Sequence, residues 1–354
     1  MSKLRVLVVE DSLTVRKRLC EILEGDPGIE VVGEAEDGKQ AIELCRVLRP
    51  GLITLDMMLP LMSGLAATEY IMAHFPTPIL VVSSSVNRGE LFKTYEALAA
   101  GAADVMEKPA ADAMEGEWET RFIATVKLIA RVRVITHPRA RLAGARSAAP
   151  PPVAPTRAPA RACSLIAIGV STGGPRALVE ILRGLPDGFP VPMLVVMHIA
   201  EAFGNAFADW LDGQTPHNVR FATHGQTLGA PGIFLAPPGR HLLVERGQLH
   251  LSLGPERHSC RPSADVLFES IALDCAPVVA ACLLTGMGHD GARGLLAIRR
   301  AGGRTIAQDE ATSVVYGMPR EAVLLDAAEK VLPLQEIGPA LASLAQDGSG
   351  TGAS

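Results

Sequence analysis

The chain has 354 residues, 48% hydrophobic and 20% charged, a mix that supports ordinary soluble cores, and at roughly 150 residues per domain it predicts about two domains. A formal net charge of −5 argues against nucleic acid as the main partner, because phosphate binding needs clustered basic charge. Aromatics are only 4%, so the cores must be built mostly from Ala, Val, Leu and Ile.

From Leu4 to about Lys127, short apolar runs alternate with longer amphipathic ones. The runs Leu4–Val9, Val31–Ala35, Leu52–Leu55, Ile79–Val82 and Ala103–Met106 predict strands. Helical periodicity falls between them at Thr14–Leu23, Gly38–Leu48, Gly64–His74, Glu90–Ala100 and near Trp118–Ile129. Five β-α units in sequence imply an open, doubly wound parallel sheet with helices on both faces. Residues 137–162 are then almost entirely Pro, Ala, Arg, Gly and Ser, which cannot form an apolar face. We therefore expect a first domain over 1–127 and a flexible linker over 128–162.

A second α/β pattern follows over 163–345, with the Gly- and Ser-rich residues 346–354 expected to fray. Its predicted strands are Leu165–Val170, Met193–Met197, Ile233–Ala236 and Val278–Leu284. A hairpin of Leu242–Glu245 and Gln248–Ser252 is predicted around Arg246-Gly247, and helices at Pro175–Leu185, Asn205–Leu211, Ala264–Cys275 and Gly291–Ala301. Six scattered cysteines (Cys20, Cys45, Cys163, Cys260, Cys275, Cys282) include no C-x-x-C pair, which predicts reduced thiols rather than disulfides or structural zinc. Neither a signal-peptide h-region nor an apolar run of about 18 residues is present, so a cytoplasmic protein without membrane insertion is expected.

Acidic residues fall at the ends of predicted strands in the first half: Glu10 and Asp11 after the first, Asp56 after the third. The carboxyl ends of such strands line one crevice, and three facing carboxylates repel unless a cation such as Mg²⁺ sits among them. Ser83 and Lys108 reach the same edge from the fourth and fifth strands. Together these groups could accept and hold a phosphoryl group, with a carboxylate as the nucleophile of an acyl phosphate. The stretches VLVVEDS, LITLDMMLPLMSG, PILVVSSS and GAADVMEKP resemble a response-regulator receiver domain across its full length. That resemblance implies Asp56 as phosphoacceptor, with Glu10, Asp11 and Asp56 holding Mg²⁺. It also implies that Ser83 and Lys108 bind the phosphoryl group and that a histidine kinase is the phosphodonor. Val105 stands where receivers often carry an aromatic switch residue.

In the second half, Leu165–Val170 runs into Ser171-Thr172-Gly173-Gly174-Pro175, a tight turn opening a helix. Gly169 to Gly173 satisfies G-x-S-x-G, but a phosphate-binding turn has the same outline, and the spacing leaves both readings open. His198 closes the strand Met193–Met197, and Asp290 lies in the glycine-rich turn after Val278–Leu284, where it could also be only a helix cap. Ser171, His198 and Asp290 at three strand ends form the arrangement a serine hydrolase needs. The order Ser…Asp…His of α/β-hydrolases would instead require His289 as base and Asp265 or Asp274 as acid, both within a predicted helix.

The stretches IAIGVSTGGPRAL, SCRPSADVLFES, LLTGMGHDGARGL and AQDEATSVVYGMPREAV resemble the catalytic domain of the chemotaxis protein-glutamate methylesterases, and a receiver in front is that family's own layout. The resemblance implies Ser171 as nucleophile, His198 as general base, Asp290 as its orienting partner, and the backbone N–H groups of Thr172 and Met287 as oxyanion donors. It further implies phosphorylation-activated hydrolysis of glutamate γ-methyl esters, and deamidation of glutamines, on the cytoplasmic domain of a methyl-accepting chemoreceptor. Where that family usually reads Gln-His-Met-Pro, this chain has Met197-His198-Ile199-Ala200. The alternative from another class is a non-enzymatic receptor-binding regulator or phosphate sink.

Overall fold

The computed structural model describes residues 3–84, 87–108, 116–131 and 163–346. Its first sheet alternates strands and helices in chain order: β1 (Leu4–Val9), α1 (Leu13–Glu24), β2 (Ile29–Ala35), α2 (Gly38–Leu48), β3 (Leu52–Leu55), α3 (Gly64–His74), β4 (Ile79–Ser83), α4 (Arg88–Ala100), β5 (Asp104–Glu107) and α5 (Glu117–Ile129). The strands are parallel in the order β2-β1-β3-β4-β5. Central strands such as β3 are buried along their whole length, because helices cover both faces, and such strands read as continuous apolar runs. Four helices start at a residue whose side chain accepts from the first turn: Ser12, Asp37, Ser63 and Asn87.

The second half continues with β6 (Leu165–Val170), α6 (Gly174–Arg183), β7 (Met193–Met197), α7 (Glu201–Gly204), α8 (Phe207–Gln214), β8 (Val219–Phe221) and β9 (Ile233–Leu235). After a hairpin, β10 (His241–Glu245) and β11 (Gln248–Ser252), come α9 (Ala264–Asp274), β12 (Val279–Leu283), α10 (Ala292–Arg300), β13 (Arg304–Gln308), α11 (Met318–Leu324), β14 (Lys330–Leu332) and α12 (Leu334–Gln346). Seven strands form a parallel sheet in the order β14-β13-β12-β6-β7-β9-β8. The chain moves outward from β6 through β7 and then crosses to β12 on the other side. That reversal opens a crevice at the carboxyl ends of β6, β7 and β12. Both halves thus have the α/β class expected, and the hairpin turns at Arg246 and Gly247, both at positive φ as a tight two-residue turn requires.

Three details differ from expectation. The helix expected near Trp118–Ile129 does run to Ile129, which is buried in the first sheet's core, so the boundary expected after Lys127 falls two residues short of the end of α5. The rest of the expected linker, 132–162, and the expected tail beyond Gln346 lie outside the described residues. The helix expected at Asn205–Leu211 runs instead over Phe207–Gln214 as α8, and the short α7 before it was not expected. Strands β8, β13 and β14 and helices α11 and α12 were not predicted, because the strands are three to five residues long and mix polar with apolar side chains.

The halves share one apolar core. A cluster runs from Leu91, Tyr95 and Leu98 on α4 into Val179 on α6 and Phe203, Phe207 and Trp210 around α8. Tyr95 meets Phe207 edge-on at 5.4 Å between ring centroids and donates its hydroxyl to the Phe203 carbonyl. No helix among the described residues is long and apolar enough to cross a membrane.

Candidate functional site

In the first sheet the strand order reverses between β1 and β3, and the predicted acidic residues meet there. Carboxylate oxygens of Glu10, Asp11 and Asp56 lie within 4.8 Å of one another. Asp56 is buried; its Oδ1 accepts from Met57 N at 2.7 Å and from Ser83 Oγ at 3.1 Å, and its Oδ2 from Lys108 Nζ at 3.0 Å. Lys108 also donates to Glu10 Oε1 at 3.0 Å. Glu10 Oε2 is only 2.8 Å from the same ammonium but off the direction of a hydrogen bond, which leaves a buried anionic oxygen without a donor. Burial, helped by the charge of Asp56, pushes the Glu10 pKa up despite Lys108. Burial would lower the Lys108 pKa, but its bonds to Glu10 and Asp56 outweigh it and raise the net value. An undonated buried oxygen among three carboxylates fits a hard, oxygen-preferring cation such as Mg²⁺. All five predicted residues of this half converge, with Asp11 at the exposed rim.

In the second sheet, Ser171, His198 and Asp290 follow β6, β7 and β12, the three strands at the reversal. Backbone bonds lock the three strand ends together: His198 N donates to Val170 O at 3.0 Å, and Ser171 N to Thr285 O at 3.0 Å. A methyl group on Gly286 would come within 2.7 Å of Ser171 Cβ, so only glycine lets the turn after β12 lie this close to the serine.

Asp290 is buried and saturated. Its carboxylate accepts from His198 Nε2 at 2.8 Å, Ser263 Oγ at 2.7 Å, Ala264 N at 2.6 Å and Asp265 N at 3.2 Å. The last three donors are the first turn of α9 and its cap, where the helix dipole favours negative charge. Burial alone would raise the Asp290 pKa, but His198 and these donors hold it down at about 2. Burial of the His198 ring likewise opposes its charge, yet the bond to Asp290 and the nearby Cys260 sulfur lift its pKa from 6.5 to about 9. With Nε2 engaged by the acid, Nδ1 is the nitrogen left for a proton; it faces Cys260 Sγ at 3.8 Å, and no hydrogen bond joins it to Ser171 Oγ among the described residues.

Thr172 is buried, and its N–H and that of Met287 donate to no acceptor among the described residues. Unpaired N–H donors of this kind are what an oxyanion site requires. The α/β-hydrolase alternative is not supported by contact: His289 Nε2 pairs with His258 Nδ1 at 2.8 Å, and Asp274 accepts from the backbone of Arg246 and Gly247.

Sequence reasoning did not single out Cys260, Ser263, Thr285 or Asp104. Ser263 carried a legible signal, a serine just before a helix; the others act across the fold. Thr285 Oγ1 donates to Thr172 O at 2.9 Å and receives Val315 N at 2.9 Å, so it props the serine turn from below. Asp104 comes from the other sheet: its Oδ2 accepts from Thr172 Oγ1 at 2.7 Å, while Gly173 N donates to Ala103 O at 3.2 Å. Protein packed around the Asp104 carboxyl raises its pKa, against the Thr172 hydroxyl and the Val105 N–H. The start of β5 therefore grips the turn that carries Ser171.

Comparison with known proteins identifies the family. The family described as CheB methylesterase matches residues 166–341, and the response regulator receiver domain matches residues 6–115. A protein-glutamate methylesterase/protein-glutamine glutaminase of Anaeromyxobacter dehalogenans is 44% identical over 96% of this chain and 97% of its own. One from Myxococcus xanthus is 43% identical over 96% of each. The Thermotoga maritima CheB methylesterase catalytic domain covers 51% of this chain and 98% of its own at 33% identity, with a TM-score of 0.49. The chain belongs to the family of receiver-linked protein-glutamate methylesterases/protein-glutamine glutaminases.

Proposed function

We propose that this protein, phosphorylated on Asp56 by a histidine kinase, hydrolyses glutamate γ-methyl esters and deamidates glutamines on the cytoplasmic domain of a methyl-accepting chemoreceptor. It does so in the cytoplasm, where its six free cysteines stay reduced. Catalysis belongs to residues 163–345, and the receiver ends with α5.

The observation that carries the reading is the convergence of Ser171, a carboxylate-held His198 and two free N–H donors at one strand-end crevice. Neutral His198 takes the Ser171 proton at Nδ1 as Oγ bonds to the γ-carbonyl carbon. Thr172 N–H and Met287 N–H stabilise the oxyanion, each donor worth about 2.7–4 kcal/mol in comparable sites. The C–O bond to methoxide breaks, methoxide leaves as methanol with the His198 proton, and water then releases glutamate by the reverse proton path. A glutamine follows the same course with ammonia leaving. Asp290 keeps Nδ1 turned away from itself and favours the imidazolium between steps.

In the receiver, Glu10, Asp11 and Asp56 would hold Mg²⁺, which offsets the negative charge of an incoming phosphoryl group. Ser83 and Lys108 supply a hydroxyl and an ammonium to its oxygens. In the resting state Lys108 is bonded to Asp56, and phosphorylation adds roughly −1.5 to −2 charge at that contact. The grip of Ala103 and Asp104 on Gly173 and Thr172 supports a restrained resting enzyme, and loosening β5 frees the serine turn.

The test is methanol release from a methylated receptor cytoplasmic fragment, with and without a small-molecule phosphodonor and Mg²⁺. Ser171→Ala abolishes release, a loss of about 10³-fold or more, with receptor binding retained. Asp56→Asn keeps basal release and loses the phosphodonor response. Wild type that binds receptor and never releases methanol would make the protein a non-enzymatic regulator instead.

A further inference from the structure

No step of the proposed hydrolysis makes or breaks a bond at the Cys260 thiol, yet it stands beside the one nitrogen the hydrolysis needs. We propose that His198 Nδ1 and Cys260 Sγ form a binding site for a thiophilic divalent cation of the Zn²⁺ class, and that metal occupancy and ester hydrolysis exclude each other. The second clause rests on the reading of His198 as the base; the first does not.

The geometry is pre-formed. Cys260 closes a short turn in which Arg257 N donates to Cys260 O at 3.1 Å and Cys260 N to Arg257 O at 2.9 Å. His258 and Ser259 inside it both adopt left-handed backbone, with φ of 53° and 57°. This turn holds Sγ 3.8 Å from Nδ1, and both residues keep part of their surface accessible. In a tetrahedral site with metal–sulfur near 2.3 Å and metal–nitrogen near 2.0–2.1 Å, these donors stand about 3.5 Å apart. Closure by a few tenths of an ångström suffices, and solvent supplies the remaining positions.

The rest of the imidazole is already anchored as a metal ligand's would be. Nε2 is bonded to Asp290 at 2.8 Å, and Asp290 is fixed in turn by Ser263 and the first turn of α9. A carboxylate behind a ligating histidine sets its ring orientation and raises its basicity. Binding releases the thiol proton and, where the imidazole is protonated, the Nδ1 proton as well; the sulfur and the freed Nδ1 lone pair both go to the metal. That lone pair can no longer accept the Ser171 proton.

Donor chemistry separates this site from the carboxylate cluster of Glu10, Asp11 and Asp56. Sulfur and imidazole select Zn²⁺-class ions, and oxygen alone selects Mg²⁺. The Mg²⁺ needed for phosphorylation therefore does not compete. A second candidate lies close by, His258 Nδ1 and His289 Nε2 at 2.8 Å, with His258 Nε2 bonded to Asp265 at 3.1 Å, and it lacks sulfur.

Co²⁺ discriminates the two, because only a thiolate ligand gives an intense sulfur-to-cobalt charge-transfer band. The full chain is stripped of metal and titrated with Co²⁺ in a Cys275→Ser background, since Cys275 is the other cysteine that is not buried. We expect one equivalent to bind with the band, Zn²⁺ to displace it, and Cys260→Ser to remove the band and weaken binding by about tenfold or more. Methanol release should fall in step with Zn²⁺ occupancy, return on chelation, and hold at its own metal-free rate in Cys260→Ser. Absence of a band, or a band that survives Cys260→Ser, overturns the site. Co²⁺ bound without the band and lost in His289→Ala assigns the metal to the histidine pair and likewise overturns it. Full occupancy with undiminished release overturns the exclusion. A metal-free chain that releases no methanol contradicts the hydrolase reading alone, and the band still decides the site.

Discussion

His198 has two ring nitrogens, and Asp290 has taken one of them. The pair titrates far from ordinary values, with the imidazole lifted from 6.5 to about 9 and the carboxylate lowered from 3.8 to about 2. Only neutral imidazole accepts the Ser171 proton, so kcat/KM should keep rising with pH between 6.5 and about 9; a plateau already reached at 6.5 would contradict the pairing. The sign for stability is opposite. The raised imidazole contributes stability that is complete below 6.5 and fades as pH rises through about 9. The lowered carboxylate contributes stability that is complete above 3.8 and fades as pH falls toward about 2, and both statements describe one pair. Ser263 serves this pair and caps α9 together, accepting from Val266 N at 3.4 Å while donating to Asp290. Ser263→Ala should therefore destabilise the protein by about 1–3 kcal/mol, read from the urea midpoint. The proposed catalytic residues were legible because each follows an apolar run, and Cys260 was not, because its partner is 62 positions away.

At the scale of elements, the serine turn is pinched between the turn after β12 and the start of β5. The first contact is steric. Gly286→Ala would force a methyl group to 2.7 Å from Ser171 Cβ and should reduce hydrolysis severely with phosphodonor present or absent. The second contact is polar and belongs to the resting state, so Asp104→Ala should raise methanol release in the absence of phosphodonor, toward the stimulated rate of wild type. Unchanged resting release would show that this hydrogen bond restrains nothing. The caps Ser12, Asp37, Ser63 and Asn87 were not singled out from the sequence, although each is a short polar side chain before an amphipathic run. β14 was not readable, because a three-residue edge strand with Lys330 exposed has no pattern of its own and exists by pairing with β13.

Across the whole molecule, the two sheets are joined by the face of α4. Tyr95 fits among Phe207, Trp210 and the Phe203 carbonyl, and Arg88 reaches Asp209 at 2.7 Å on the exposed rim. The aromatic contact dominates, since a rim ion pair is worth about 0–1 kcal/mol. If phosphorylation loosens this face, amide hydrogen exchange should quicken in α4 and α8 on adding phosphodonor and Mg²⁺, and not in Asp56→Asn. Exchange that stays constant while hydrolysis rises would place the control in β5 alone.

The order of short apolar runs, the helical periodicity between them and the polar residues at their ends are local properties, and from them the chain by itself determined two parallel α/β halves and the strand ends where the predicted residues meet. Which strands neighbour one another was decided only by tertiary packing, since β6, β7 and β12 are brought side by side by burial of their helices rather than by any adjacent residues. The same packing sets Asp104 on Thr172 and Cys260 on His198. Those contacts depend on the docking of one surface against another, and no run of residues encodes a distance across that gap.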